Sequence, residues 1–157
     1  MKIVDILAET SIIPELKATT KKAVLEELID AVRVQNPQLD RDRLMGVLLE
    51  RERLGSTGIG DGIAIPHGKI KDLNQLVLSF GKSTVGVDFE SMDGKPVHLF
   101  FLLVAPETSS GIHLRALAKI ARLLKNNIVR KRLGTVKSPT EIFAVIQQED
   151  EDFCMAS

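Results

Sequence analysis

The sequence predicts an α/β fold, a single compact domain whose mixed β-sheet is flanked by helices on both faces. Three observations point there. Two amphipathic helical patterns come first, a block of alternating and continuous apolar runs follows, and helical patterns then return. The chain of 157 residues is long enough for one core, because a domain of that size buries about 70% of the surface its unfolded chain exposes. A hydrophobic share of 44% and a charged share of 27% lie near the averages of soluble globular proteins.

The first helix is expected in "TKKAVLEELIDAVRV", where Val24, Leu25, Leu28, Ile29 and Val32 recur at helical spacing behind Thr20 as N-cap. "NPQ" interrupts it, and Asp40 opens a second helix with Leu44, Val47 and Leu48 inward and Arg51 in its last turn. After the glycine-rich "GSTGIGDG", "IAI" reads as a short strand, and "QLVLSFGK" places Leu76, Leu78 and Phe80 on one face at period two. "SMDGKP" is a turn, and "VHLFFLLVAPE" is a continuous apolar run, the mark of a central strand covered on both faces. A third helix through "ETSSGIHLRALAKIARLLKNN" is expected to bury Leu114, Leu117, Ile120, Ala121 and Leu124. "IVRKRLG" reads as a short helical turn closed by Gly134. Ser138, Pro139 and Glu141 then form the capping box of a last helix. The acidic residues after Gln148 are expected to fray, leaving 1–148 as the folded unit and 149–157 as a tail.

Several function classes are disfavoured by composition. Basic and acidic side chains balance at 21 each, and there is no Trp or Tyr, so neither a polyanion-binding surface nor a base-stacking platform for nucleic acid is expected. The single cysteine, Cys154, excludes an intrachain disulfide. The N-terminus is too acidic for a signal peptide and "LFFLLVA" too short to span a bilayer, so no membrane insertion and a cytoplasmic location are expected.

Candidate chemistry gathers around "GSTGIGDGIAIPHGK", residues 55–69. Pro66 stiffens the backbone that leads into His67, and Gly68 is expected to leave one flank of the imidazole open. Gly58, Gly60, Asp61 and Gly62 permit tight turns whose N–H groups could converge on an anion. The glycine spacing matches neither G-x-G-x-x-G nor a loop ending in G-K-[ST], so the nucleotide fingerprints fail. His113 is placed in the first turn of the third helix, where the helix field disfavours imidazolium and favours phosphate. Arg51 and Arg53 complement the C-terminus of the second helix, and either guanidinium could also reach an anion. His98 opens the buried strand and is read as structural. No short-range ligand spacing supports a metal site, and no cofactor is expected.

Taken together, "LLERERLGSTGIGDGIAIPHGK" and "PVHLFFLLVAPETSSGIHLRALAKIARLLKN" resemble the two active-site segments of enzyme IIA proteins of the phosphoenolpyruvate-dependent phosphotransferase system, of the fructose/mannitol/nitrogen-regulatory type. The resemblance covers most of the chain. It implies that His67 accepts a phosphoryl group on Nε2 from a histidine-phosphorylated carrier protein, with Nδ1–H held by a carbonyl or similar group. It implies phosphoryl stabilisation by His113 and Arg51, which match the family's second histidine and its arginine. The amides of Gly58, Gly60, Asp61 and Gly62 are expected to assist. A chain that carries only the phosphoacceptor domain is most similar to the nitrogen-regulatory branch, whose phosphorylation state is read by a downstream regulatory target. The alternatives are a stand-alone fructose- or mannitol-type component that passes phosphate to a sugar permease domain, and a small-molecule hydrolase with His67 as base.

Overall fold

The computed structural model describes residues 2–156, with Ser110 and residues 151–156 described by their backbone. A 3₁₀ turn at Ile3–Asp5 leads into β1 (Leu7–Ile13), followed by α1 (Lys21–Arg33) and α2 (Arg41–Arg53). Three short strands come next, β2 (Gly58–Gly60), β3 (Ile63–Ala64) and β4 (His67–Ile70), and then the long β5 (Val77–Val87) and β6 (Val97–Pro106). Three helices complete the chain: α3 (Ser110–Lys125), α4 (Asn127–Thr135) and α5 (Pro139–Ala156). The expected α/β fold with helices on both faces is the one observed.

The sheet is built on β6. Its one edge pairs antiparallel with β5, which in turn pairs parallel with β1. Its other edge carries β3 and β4 in succession, both parallel to it, and β3 continues into an antiparallel pair with β2. The line from β3 to β4 is broken at Ile65 and Pro66. Proline has no N–H for the ladder. The Pro66 carbonyl still accepts from Leu103 N–H at 3.0 Å, so pairing resumes at once with His67 opposite Leu103.

Alternation along β5 and β6 sends side chains into two cores. Leu78, Phe80, Phe101 and Leu103 pack under α3, α4 and α5, while Val77, Phe100, Leu102 and Val104 pack under α1 and α2. The helix starts follow their caps. Thr20 accepts from Ala23 N–H, Asp40 accepts from Arg43 N–H, and Ser138 Oγ accepts from Glu141 N–H at 3.1 Å.

Three expectations need correction. Leu114 is not inward; it is 66% exposed, and His113, Ala116, Ile120 and Leu123 face the sheet instead. The segment after Asn126 is a nine-residue helix, not a turn closed by Gly134. The Asn126 side chain caps the N–H groups of Ile128 and Val129, and Val129 and Leu133 anchor the helix one turn apart. The chain also does not begin to fray at residue 149. Glu149 lies in α5 and pairs with Arg132 at 3.1 Å, and buried Asp150 accepts from Val4 N–H at 3.0 Å. Position 157 lies outside the described residues.

Candidate functional site

His67 is the first residue of β4, half-buried, immediately after the proline that interrupts the edge. Its Nδ1 lies 2.8 Å from the Ile65 carbonyl oxygen. A carbonyl can only accept, so Nδ1 carries the proton and, in the neutral ring, Nε2 is left with a lone pair. Burial pushes the imidazole below its ordinary pKa; the Ile65 hydrogen bond works in the opposite direction, the Arg51 charge lowers it further and the Glu52 charge raises it. A ring that is neutral at pH 7 with a bare Nε2 is a nucleophile.

His113 comes to His67 because α3 turns it inward. The residue is 5% exposed and its ring meets that of His67 edge-on, with centroids 5.4 Å and planes 76° apart. Its backbone N–H is already spent on Ser109 O at 2.9 Å, and its buried Nδ1 has no hydrogen-bond partner. Desolvation lowers its pKa first, and the charges of His67 and Lys69 lower it further. The expected neutral state is therefore produced mainly by burial. Lys69 was not singled out in the sequence, although period two in a strand places it on the same face as His67.

Arg51, in the last turn of α2, donates from Nη1 to Gly55 O at 2.9 Å, and its charge is felt by His67. It thus caps the helix end while its charge acts on His67. Arg53 is turned away and pairs with Glu50 at 3.0 Å on the surface. Between them Glu52 is 9% exposed; its carboxylate accepts from Thr57 N–H at 3.1 Å and from the Thr57 hydroxyl, and pairs with Lys21 Nζ at 2.9 Å. No motif reading marked Glu52 or Thr57, because nothing in "RERLGST" distinguishes a buried acid from a solvated one.

The glycine hairpin does not join this group. β3 pairs with β6 at Leu99 and Phe100, whereas His67 pairs at Leu103. Four residues of strand separate Leu99 from Leu103, about 13 Å at roughly 3.3 Å per residue. Gly60, Asp61 and Gly62 have positive φ and form the tip of the β2–β3 turn. Asp61 and Gly62 line a cleft of about 380 Å³ with His98, Lys82 and Arg130. Two of the amides expected to cradle phosphate already have acceptors: Gly58 N–H donates to Ser56 Oγ at 3.0 Å, and Asp61 N–H to Asp93 Oδ2 at 3.3 Å. His98 is exposed, with Nδ1 2.8 Å from Ser83 O, and takes no part in the His67 pair. Gly68 also differs from expectation. It is buried, and a Cβ there would meet Val47 Cγ1 at 2.6 Å, so its missing side chain admits α2 rather than a visitor.

The assembled group is a nucleophilic imidazole, a second neutral imidazole against it, and cationic side chains of Arg51 and Lys69 whose charges act on these rings. Among the described residues no cluster of three or more His, Cys, Asp or Glu could hold a metal ion, and no helix is long and apolar enough to cross a membrane. An arrangement of this kind suits attack on an electrophile that carries negative charge.

Comparison with known proteins gives a consistent picture. Residues 5–149 match the family described as "Phosphoenolpyruvate-dependent sugar phosphotransferase system, EIIA 2". The chain is 43% identical over 146 residues to a Nitrogen regulatory protein of Bradyrhizobium diazoefficiens, covering 93% of this chain and 95% of that one. It is 37% identical over 151 residues to the PTS system fructose-specific EIIABC component of Bacillus subtilis, covering 96% of this chain and 24% of that one. The crystal structure of nitrogen regulatory protein IIA-Ntr from Neisseria meningitidis superposes with a TM-score of 0.84 at 36% identity, covering 92% of this chain and 98% of that one.

Proposed function

This chain belongs to the EIIA 2 family of the phosphoenolpyruvate-dependent sugar phosphotransferase system, and from that premise we propose that it is a cytoplasmic phosphocarrier whose phosphoacceptor is His67. Nε2 of His67 attacks the phosphorus of a phosphohistidine on a carrier protein. The new N–P bond forms as the donor's P–N bond breaks, and the bonding pair returns to the donor's ring nitrogen. No proton is needed at Nε2, because Ile65 O keeps the ring's proton on Nδ1 as the ring gains positive charge. Such a transfer passes through a loose, in-line transition state and depends on positioning and charge stabilisation more than on acid–base work. The free donors of Arg51 receive the phosphoryl oxygens, and neutral His113 contributes a hydrogen-bond donor without repelling His67. The single observation that carries this reading is the 2.8 Å contact between His67 Nδ1 and Ile65 O, which in the neutral ring leaves the lone pair on Nε2.

The output is regulatory: the phosphorylation state of His67 changes the charge of a docking surface that a partner reads. Support for this comes from the 43% identity and 95% coverage of the Bradyrhizobium relative. The fructose-specific relative at 37% identity favours the second reading, a component that hands phosphate to a sugar permease domain. The two separate in one experiment. Phosphorylated protein is mixed with a purified fructose-type IIB domain and, in parallel, phosphorylated, unphosphorylated and His67→Ala proteins serve as bait for partners. The regulatory reading expects partners that differ with phosphorylation and little transfer to the IIB domain. Rapid transfer with identical partner sets contradicts it.

A further inference from the structure

The hydrogen bond that orients His67 does not stand alone. The Ile65 carbonyl accepts from His67 Nδ1–H at 2.8 Å, and the Ile65 N–H donates to Thr57 O at 3.1 Å. Thr57 is in turn clamped by both oxygens of Glu52: its N–H donates to Oε1 at 3.1 Å and its hydroxyl to Oε2. Glu52 Oε1 is itself held by Lys21 Nζ at 2.9 Å, and this ammonium lies 4.8 Å from the centre of the Phe89 ring. The result is a continuous chain of hydrogen bonds from the first turn of α1, through the end of α2 and the loop after it, to the ring of His67.

We propose that Glu52 is a positioning residue for phosphoryl transfer, acting through Thr57 and Ile65 to hold His67 in its Nδ1–H tautomer with Nε2 aimed outward. This inference rests on the reading of His67 as the phosphoacceptor. Three features favour it over a purely structural ion pair. Glu52 is 9% exposed, and hydrogen bonds from backbone, hydroxyl and ammonium in such a site are stronger and more directional than solvated ones. Residues 54–57 form a glycine-containing loop between α2 and β2, and both Glu52 oxygens bind its last residue, Thr57. Pro66 cannot donate to the β6 ladder, so the Ile65–Pro66 peptide, whose carbonyl accepts from His67, is held through the residues beside it, and the preceding Ala64–Ile65 peptide is anchored by its N–H on Thr57 O. In metal sites, losing the partner that fixes a ligating histidine's tautomer costs about 10- to 100-fold, and an effect at the lower end of that scale is expected here.

The test uses the intact protein and two readouts. Long-range ¹H–¹⁵N spectra of the unphosphorylated protein report the His67 tautomer without any phosphotransfer, and single-turnover phosphorylation by the carrier protein reports the rate. Glu52→Gln and Thr57→Val are expected to move neutral His67 away from the Nδ1–H form and to slow transfer about tenfold. Thr57→Ser keeps the hydroxyl and is expected to retain the wild-type tautomer and rate. If Glu52→Gln does not fold, the Thr57→Val and Thr57→Ser pair decides. Wild-type tautomer ratios in folded Thr57→Val overturn the proposal, and so does slow transfer with an unchanged tautomer. Failure of the phosphoacceptor assignment itself would appear separately, as phosphorylation persisting in His67→Ala.

Discussion

The rings of His67 and His113 meet edge-on, centroids 5.4 Å apart, although 46 positions separate them in the chain (113 − 67). A strand edge supplies one ring and a helix the other, so each is held by an element with little freedom. If neutral His113 supplies one strong contact to the transferring phosphoryl group, His113→Ala slows single-turnover phosphorylation by about 10²-fold. The variant's circular dichroism serves as the folding control. A wild-type rate in a folded variant would return His113 to a packing role.

The rate of phosphorylation should depend on pH with a midpoint below the ordinary imidazole value of about 6.5. Burial is the main cause that lowers His67, so the ring is neutral and competent at pH 7 and loses competence only on acidification. Stability follows the same sign. His67 and His113 both bind protons more readily in the unfolded chain, so this contribution to stability is present above the unfolded value near 6.5 and is lost as the pH falls through the lower folded values. An NMR titration of both rings checks this, and a His67 midpoint above 6.5 would refute it.

Arg51 gives a sharper chemical contrast. Its guanidinium caps the Gly55 carbonyl and has further donors for an anion. Arg51→Ala is expected to slow transfer by about 10²-fold. Arg51→Lys restores only part of the rate, because an ammonium keeps the charge but not the planar fork. Full rescue by lysine in the single-turnover assay would show that charge alone matters.

Two glycines test the packing of α2 behind the site. Gly68→Ala drives a Cβ to 2.6 Å from Val47 Cγ1, a stiff β-branched side chain, and should cost about 1–3 kcal/mol. Gly46→Ala meets nothing within 4 Å on α2 and should stabilise by about 0.5–1 kcal/mol. Urea unfolding of both variants measures the opposite signs. Equal effects would contradict the account of why Gly68 is small.

Much of this was legible beforehand. The caps at Thr20, Asp40 and Ser138, the doubly covered β6, and the stiff mount of His67 follow from local chemistry that tertiary structure does not override. The misreadings have physical causes. In α3, Leu114–Leu117–Ala121 and His113–Ala116–Ile120 are stripes one residue apart, and a period of 3.6 does not choose between them; the stripe with the histidine is buried, Leu117 and Ala121 are half-buried beside it, and Leu114 is left exposed. The hairpin glycines are close to His67 in sequence but register with a different part of β6, and register is a long-range property. Glu52 is buried only because Lys21 and Thr57, from two other segments, converge on it.

The most direct measurement is the intact mass of the protein after incubation with enzyme I, the carrier protein and phosphoenolpyruvate. Wild type should gain one phosphoryl group, stable in alkali and labile in acid, and His67→Ala should gain none. Undiminished phosphorylation of His67→Ala would contradict the account at its centre.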